Sequence, residues 1–353
     1  MRIAIITQPL ISNFGGILQN YALQKTLKGM GLDPITIDID PSPSFFRLLI
    51  RYILLFIANK GRFVKPDTYK RNPAVESFLK TNVSLTHRVK SFRNNPEFSK
   101  FDAYIVGSDQ VWRYSYNKPF IKDMYLDFTR GCCCRRMSYA ASFGDSTWDY
   151  PDKITKECKR NISMFDAVSV REKSAIKLCQ ENYQITPTLV LDPTLLVNES
   201  VYFDLCKDVP KKTNILVSYI LDLDSSKKYF VEKVAKEFNL LPVFLTEKRD
   251  GGVSVEEWLS YFRDGSFIIT DSYHGTVFSI IFHKNFLSIV NKKRGEDRFI
   301  TLLNEMGLEN RMINSDFKEF MMPANINWVE HKAILEIKRI GSIRFLREGL
   351  SLN

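Results

Sequence analysis

What the 353-residue sequence lacks narrows its function first. No apolar run reaches the roughly 20 residues that a membrane-spanning helix needs. The longest, Phe45–Ala58, is short and is broken by Arg47 and Arg51. The opening MRIAIITQ reads as a first strand rather than a signal peptide, and a cytoplasmic protein is expected. The glycine fingerprint GxGxxG of dinucleotide sites is absent. Of six cysteines, Cys132, Cys133 and Cys134 are consecutive and Cys158, Cys179 and Cys206 are scattered, without the paired spacing of a zinc site, so reduced thiols and no metal are expected. Histidine is scarce too, with only His87, His274, His283 and His331.

Charge is present in excess, at 50 Lys+Arg against 40 Asp+Glu, a net of +10. Its location decides what it means. Residues 1–46 are balanced, whereas residues 47–100 hold twelve basic side chains against Asp67, Glu76 and Glu97, and so carry nearly all of the excess. No nucleic-acid-binding motif accompanies that segment, and no nucleic-acid partner is expected. Arg47 and Arg51 lie four apart on one helical face among Phe, Leu and Ile, which fits either an interfacial helix at an anionic membrane surface or a helix buried against its own domain. Peripheral membrane contact through residues 45–65 is the expectation adopted.

Apolar runs alternate with helical patterns along the rest of the chain. Arg2–Thr7 reads as a strand, Gly16–Met30 as a helix and Pro34–Ile39 as a second strand, the order of a parallel βαβ unit. Strands follow at Ala103–Val106, Met137–Ala141, Ala167–Val170 and Thr188–Leu191, and a second strand-helix series runs from 214 to 290. The expected architecture is α/β, with two Rossmann-like doubly wound domains facing a central cleft: residues 1–200 on the acceptor side with a basic and apolar insertion at 41–100, residues 201–325 on the donor side, and a C-terminal helix over 326–353 packing back on the first domain. Ligands of such sheets bind beyond the carboxyl ends of the strands.

Four polar loops stand at those ends. In SNFGGILQN at 12–20, Asn13, Gly15 and Gly16 precede a helix and can present backbone N–H groups to an anion or a sugar hydroxyl, or make an ordinary tight turn. In VGSDQVW at 106–112, Ser108, Asp109 and Gln110 offer hydrogen bonds to hydroxyls and Trp112 an aromatic face; alternatively Ser108 or Asp109 caps a helix. In SVRE at 169–172, Arg171 can grip a carboxylate or phosphate, or pair with Glu172 at the surface. In TDSYHGTVF at 270–278, His274 sits at a helix N-terminus, where the N–H groups of Gly275 and Thr276 are expected to favour a phosphate. The other three histidines lack such partners and read as structural or surface residues.

Taken in order, NFGGILQNYALQ at 13–24, DAYIVGSDQVW at 102–112, SYAASFG at 138–144, SVRE at 169–172, LDPTLL at 191–196 and TDSYHGTVFSIIFHKNF at 270–286 resemble the polysaccharide pyruvyl transferase family, and RFITLLNEMGLENR at 298–311 resembles its tail pattern. The resemblance implies a GT-B-like pair of Rossmann domains. It also implies transfer of the enolpyruvyl unit of phosphoenolpyruvate onto two hydroxyls of a sugar, giving a pyruvate ketal and phosphate. The implied acceptor is a sugar or lipid-linked oligosaccharide at the inner face of the cytoplasmic membrane, as in capsule or exopolysaccharide synthesis, and no cofactor or metal is called for.

By this resemblance His274 and Arg171 match donor-site residues, with Ser272, Gly275 and Thr276 beside them. Asn13, Gly15, Gly16, Ser108, Asp109 and Gln110 are the acceptor candidates, and Asp109 or Glu172 is the candidate to accept a hydroxyl proton. Some members carry an arginine in a Ser-x-Arg-x-His arrangement. Ser272-Tyr273-His274 has none, so another cation, with Arg298 the candidate, has to serve. The alternatives are a GT-B glycosyltransferase using a nucleotide sugar and a non-catalytic glycan- or membrane-binding protein.

Overall fold

The computed structural model describes residues 1–42, 71–92, 95–245, 253–290, 295–314, 317 and 323–352. The apolar helix expected at 45–58, and with it the membrane contact assigned to residues 45–65, lies outside the described residues.

Strand β1 (Arg2–Ile6) is buried on both faces from Ile3 onward, as a central strand of a parallel sheet must be. It pairs in parallel with β2 (Asp33–Thr36) on one side and β3 (Ala103–Val106) on the other, and β3 pairs with β4 (Arg135–Ser138), so the order is β2-β1-β3-β4. Bridges Met137–Ala167 and Ala141–Val170 continue the sheet to β5 (Ser169–Val170), which pairs with β6 (Thr188–Leu189). The second sheet, also wholly parallel, runs β11 (Met312–Ile313), β10 (Asn285–Ile289), β9 (Phe267–Thr270), β7 (Ile215–Tyr219), β8 (Leu241–Phe244).

Helices α1 (Phe14–Gly29), α2 (Pro73–Asn82), α3 (Asp152–Ile162), α4 (Lys173–Tyr183), α5 (Ser200–Leu205), α6 (Ser225–Glu237), α7 (Val255–Asp264), α8 (Tyr273–Ile281), α9 (Asp297–Met306) and α10 (Trp328–Gly349) cover the faces. Every residue of α1 from Phe14 to Gln24 is buried, which fits a helix held between the two sheets rather than on the surface. Phe14 reaches Trp258 of the second domain, with ring centroids 5.9 Å apart. One apolar cluster accordingly runs through both domains, from Ile3 and Phe78 to Trp258 and Phe299, and each sheet has a further cluster of its own on the opposite face.

Helix α10 returns to the first domain. Arg135 Nε donates to the Gly349 carbonyl at 2.9 Å, the Leu191 N–H to Ser342 Oγ at 3.0 Å, and Arg339 Nε to the Leu195 carbonyl at 2.9 Å.

One sequence expectation needs correction here. Helix α1 begins at Phe14, so Gly15 and Gly16 lie within its first turn and not in a loop ahead of it. The described part of the 41–100 segment is built into the first domain. Residues 84–89 run beside β2 through bridges Thr36–Leu85 and Ile39–Val89, and the buried Arg71 pairs with Asp38 and Glu76. A basic residue there is spent on internal carboxylates. No helix among the described residues is long and apolar enough to cross a membrane.

Candidate functional site

Both sheets reverse their strand order beside the first strand of their domain. β1 is followed by β2 on one side and β3 on the other, and β7 by β8 and β9. Loops leaving such switch points part from each other and open a crevice. The crevices face each other across a cavity of about 230 Å³. Gln8, Asn13 and Gly15 line it from beyond β1, and Asp109, Gln110, Arg113 and Tyr116 from beyond β3. Opposite stand Tyr219 at the end of β7 and Leu221 after it, Asp271, Ser272, Tyr273 and His274 after β9, and Arg298 and Phe299 from α9.

The wall from the first domain is a fixed polar surface. Asp109 has a left-handed backbone, φ 75°, a conformation that costs a non-glycine residue about 1 kcal/mol or more and that Asp tolerates better than most. The turn is pinned by its carbonyl, which accepts from the N–H groups of Val111 (2.8 Å) and Ser142 (3.1 Å). Asn13 Nδ2 donates to Asp109 Oδ2 at 3.2 Å, Gln8 Nε2 to the Gln110 carbonyl at 2.9 Å, and Arg113 Nη1 to Gln110 Oε1 at 2.7 Å. Arg113 also lies over the exposed ring of Tyr116, 4.2 Å from its centroid.

The opposite wall is built on the start of α8. Ser272 is the N-cap, its Oγ accepting from the Gly275 N–H at 3.3 Å, while the Thr276 N–H donates to the Ser272 carbonyl at 2.9 Å. The N–H groups expected to meet a phosphate are therefore already used. Neither residue lines the cleft: Gly275 is pressed against Thr270, where an added Cβ would fall 3.0 Å from the threonine Cβ, and Thr276 Oγ1 bonds Ser288 Oγ at 2.5 Å. At the first two helical positions, the N–H groups of Tyr273 and His274 have no carbonyl in their own helix to donate to. Asp271 ties the loop to β7, accepting from the N–H groups of Leu221 (2.6 Å) and Asp222 (3.2 Å). Burial raises its carboxyl despite those bonds and Lys227 at 3.6 Å.

His274, 6% exposed, touches the other domain. A Cβ on Gly15 would lie 2.7 Å from His274 Cβ and nearer still to Cγ and Nδ1, so glycine is required there by close approach. Nε2 of the same ring points inward, 3.7 Å from Asp192 Oδ2, too far for a formed hydrogen bond.

Beneath the cleft lies a buried cluster. Arg171 Nη1 donates to Asp192 Oδ2 (2.8 Å) and Ser108 Oγ (3.2 Å), its Nη2 to Asp109 Oδ1 (3.2 Å), and its Nε stands 3.8 Å from Glu172 Oε2. Burial would weaken its hold on the proton; Tyr273 and the carboxylates of Asp192, Asp109 and Glu172 outweigh this and keep it firmly cationic. For Asp192, burial is likewise outweighed, by His274, Arg171 and Thr194, and its carboxyl is held well below the usual range. Burial wins at Glu172, whose carboxyl is raised despite Arg171, Ser142 and Arg298. Two guanidinium groups approach the Tyr273 ring, Arg171 at 4.6 Å and Arg298 at 5.5 Å from its centroid. Burial, then the charge of Arg171, brings Arg298 down to about 10.

Of the residues singled out in the sequence, His274, Ser272, Arg298, Asn13, Gly15, Asp109 and Gln110 line the cleft. Gly16 packs against Asn13 and Asp109 just behind it. The others lie elsewhere, Gly275 and Thr276 as described above. Arg171 is fully buried and committed to three carboxylates, Ser108 is turned inward to Asp192, and Glu172 is 1% exposed with Oε1 accepting the Phe143 N–H. Trp112, expected to offer a face to a sugar, is fully buried, stacked on Tyr125 at 5.1 Å and donating its indole N–H to the Met124 carbonyl. Tyr116, four residues on, supplies the exposed ring.

Asp192, within the LDPTLL stretch, was not among the site candidates of the sequence; its Oδ1 caps Thr194. Among the described residues no group of three or more His, Cys, Asp or Glu is placed to hold a metal ion.

Comparison with known proteins bears on both fold and family. The UGT89C1 structure of Arabidopsis thaliana complexed with UDP-L-rhamnose is 7% identical, with 99% of each chain covered and a TM-score of 0.51. UDP-GlcNAc 2-epimerase from Neisseria meningitidis bound to UDP-GlcNAc is 10% identical, covering 98% of this chain and 94% of that one, at 0.49. The S. aureus MnaA-UDP structure is 12% identical over 97% of each chain, at 0.46. At such identities a likeness speaks for fold alone, and the first supports the GT-B-like pair of Rossmann domains. No curated protein matches in sequence. The family model described as polysaccharide pyruvyl transferase matches residues 13–293, a span that takes in the loops of both walls and stops just short of Arg298. The chain belongs to the polysaccharide pyruvyl transferase family, and is a transferase.

Proposed function

We propose that the protein moves the enolpyruvyl group of phosphoenolpyruvate onto two hydroxyls of a sugar in a lipid-linked polysaccharide precursor, releasing phosphate and leaving a pyruvate ketal. The observation that carries this reading is the division of the cleft. His274 and Arg298 face it from one domain, and Asp109, Asn13 and Gln110 from the other. A small trianionic donor suits the first wall, where Arg298 supplies a guanidinium fork and the opening of α8 supplies backbone donors. A sugar suits the second, with carboxylate, amides and the Tyr116 ring.

The chemistry follows from those groups. Protonated His274 gives a proton to the methylene carbon of phosphoenolpyruvate, leaving an oxocarbenium-like centre at the adjacent carbon. A sugar hydroxyl adds there, losing its proton to Asp109 or to the imidazole, and the second hydroxyl closes the ring as phosphate departs with the remaining proton. One hydroxyl proton thus ends on the new methyl group and the other on phosphate. Arg298 and the α8 N-terminus stabilise charge on the leaving phosphate. Arg171, behind the wall, holds Asp109 in place.

The test is phosphate release from phosphoenolpyruvate with a panel of galactose-, mannose- and N-acetylhexosamine-terminated lipid-linked acceptors, for the wild type and His274→Ala. Release that depends on acceptor and is lost in the variant is the expected result. No release, together with thermal protection by a nucleotide sugar but not by phosphoenolpyruvate, overturns it in favour of a glycosyltransferase. We further propose that the enzyme works at the inner face of the cytoplasmic membrane through residues 45–65; deleting them should release it from membrane fractions, and an intact protein found wholly in the soluble fraction refutes this.

A further inference from the structure

The two carboxylate oxygens of Asp192 have separate tasks. Oδ1 accepts from Thr194 N (3.1 Å) and Thr194 Oγ1 (2.7 Å), capping the turn after β6. Oδ2 has no part in that cap. It accepts from Arg171 Nη1 (2.8 Å) and Ser108 Oγ (3.0 Å) and faces His274 Nε2 at 3.7 Å. The His274 Nε2 atom is buried and makes no hydrogen bond among the described residues. The opposite edge of the ring, with Nδ1, lies against Gly15 at the cleft.

We infer that Asp192 is a positioning residue for His274: it takes Nε2–H and leaves Nδ1 as the nitrogen that exchanges protons in the cleft. A buried carboxylate oriented by Arg171 and Ser108 can accept only from a donor, so the neutral imidazole is fixed as the Nε2–H tautomer. The 3.7 Å separation shortens to a hydrogen bond when the cleft closes on its ligands, as acid–base pairs of unliganded enzymes commonly do. Asp192 belongs to the first domain and His274 to the second, so approach of the domains aligns the imidazole. Protonated Nδ1 gives its proton to the donor and regains one from the incoming hydroxyl, while Nε2–H stays with Asp192.

The part about proton exchange rests on His274 being the reacting group, but the tautomer does not, and the experiment keeps the two apart. In the full-length protein, ¹⁵N-labelled at its four histidines, the His274 signals are assigned by their loss in His274→Gln. The expected result is a neutral form protonated at Nε2; protonation at Nδ1 overturns the inference whatever the protein catalyses. Asp192→Asn removes the negative charge that faces Nε2, so the share of the neutral ring protonated at Nε2 should fall. Phosphate release should then fall about 100-fold in kcat with KM for phosphoenolpyruvate little changed. Unchanged kcat, or a tautomer unaltered in a folded Asp192→Asn protein, refutes it.

Discussion

Replacing Gly15 by Ala puts a methyl group where His274 stands. The new Cβ would lie 2.7 Å from His274 Cβ, against the roughly 3.5–4.0 Å at which two carbons rest in contact, so the imidazole or its domain must retreat by about 1 Å. Two opposing terms act on stability. Ala is favoured over Gly within a helix by about 0.8–1 kcal/mol, whereas overpacking a tight contact costs about 1–3 kcal/mol. The net loss is therefore no more than about 2 kcal/mol, too little to unfold the protein. With His274 as the proposed acid, activity is far more sensitive, because displacing a reacting group by about 1 Å costs on the order of 100-fold. Gly29→Ala, at the far end of the same helix with nothing within 4 Å of the added carbon, is the control and should leave turnover unchanged. Steady-state phosphate release and thermal denaturation of the three proteins decide the matter. Wild-type kcat and Tm in Gly15→Ala would show that His274 does not stand against Gly15 and would refute the reasoning.

Three further outcomes are expected. Arg298→Ala should raise KM for phosphoenolpyruvate about 10- to 100-fold, the loss of a charge-assisted contact worth about 1.5–3 kcal/mol, and Arg298→Lys should recover only part because the planar fork is gone; unaltered KM in both refutes the assignment. Trp112→Ala should cost about 3–5 kcal/mol in urea unfolding, whereas Tyr116→Ala should stay within about 0.5 kcal/mol and raise KM for the acceptor alone; the reverse pattern would restore Trp112 as the sugar platform. Burial raises the folded-state carboxyl of Glu172 above its unfolded value near 4.3, so its favourable contribution is complete below that pH and is lost as pH rises through the folded value. Tm of the wild type should therefore drop relative to Glu172→Gln over that window and run parallel above it; a difference that is flat, or that grows the other way, contradicts the burial argument.

Local sequence determined the parts of this protein whose physics is local. Continuous apolar runs such as Ile3–Ile6 and Phe267–Ile269 specify buried parallel strands, and the polar stretches after them specify loops at strand ends, so the cleft residues Asn13, Asp109, Gln110, Ser272 and His274 were legible from position alone. The ordered loops were also enough to point to the family. Burial is set by what packs on a residue from elsewhere in the chain, and there the local signal stops. Trp112 and Tyr116 are equally aromatic, yet Tyr125, thirteen residues beyond the tryptophan, covers it and leaves the tyrosine in the cleft. Arg171 reads as a ligand-gripping cation until Asp109 and Asp192 close on it from 62 and 21 residues away. Asp192 stands in the local sequence only as part of the LDPTLL stretch, and it is the fold that brings His274 of the other domain to its second oxygen. The strands and the reach of their loops follow from short-range pattern. Which side chain meets the ligand and which one holds it in place is decided by charge and packing between distant segments, and only the folded chain brings those segments together.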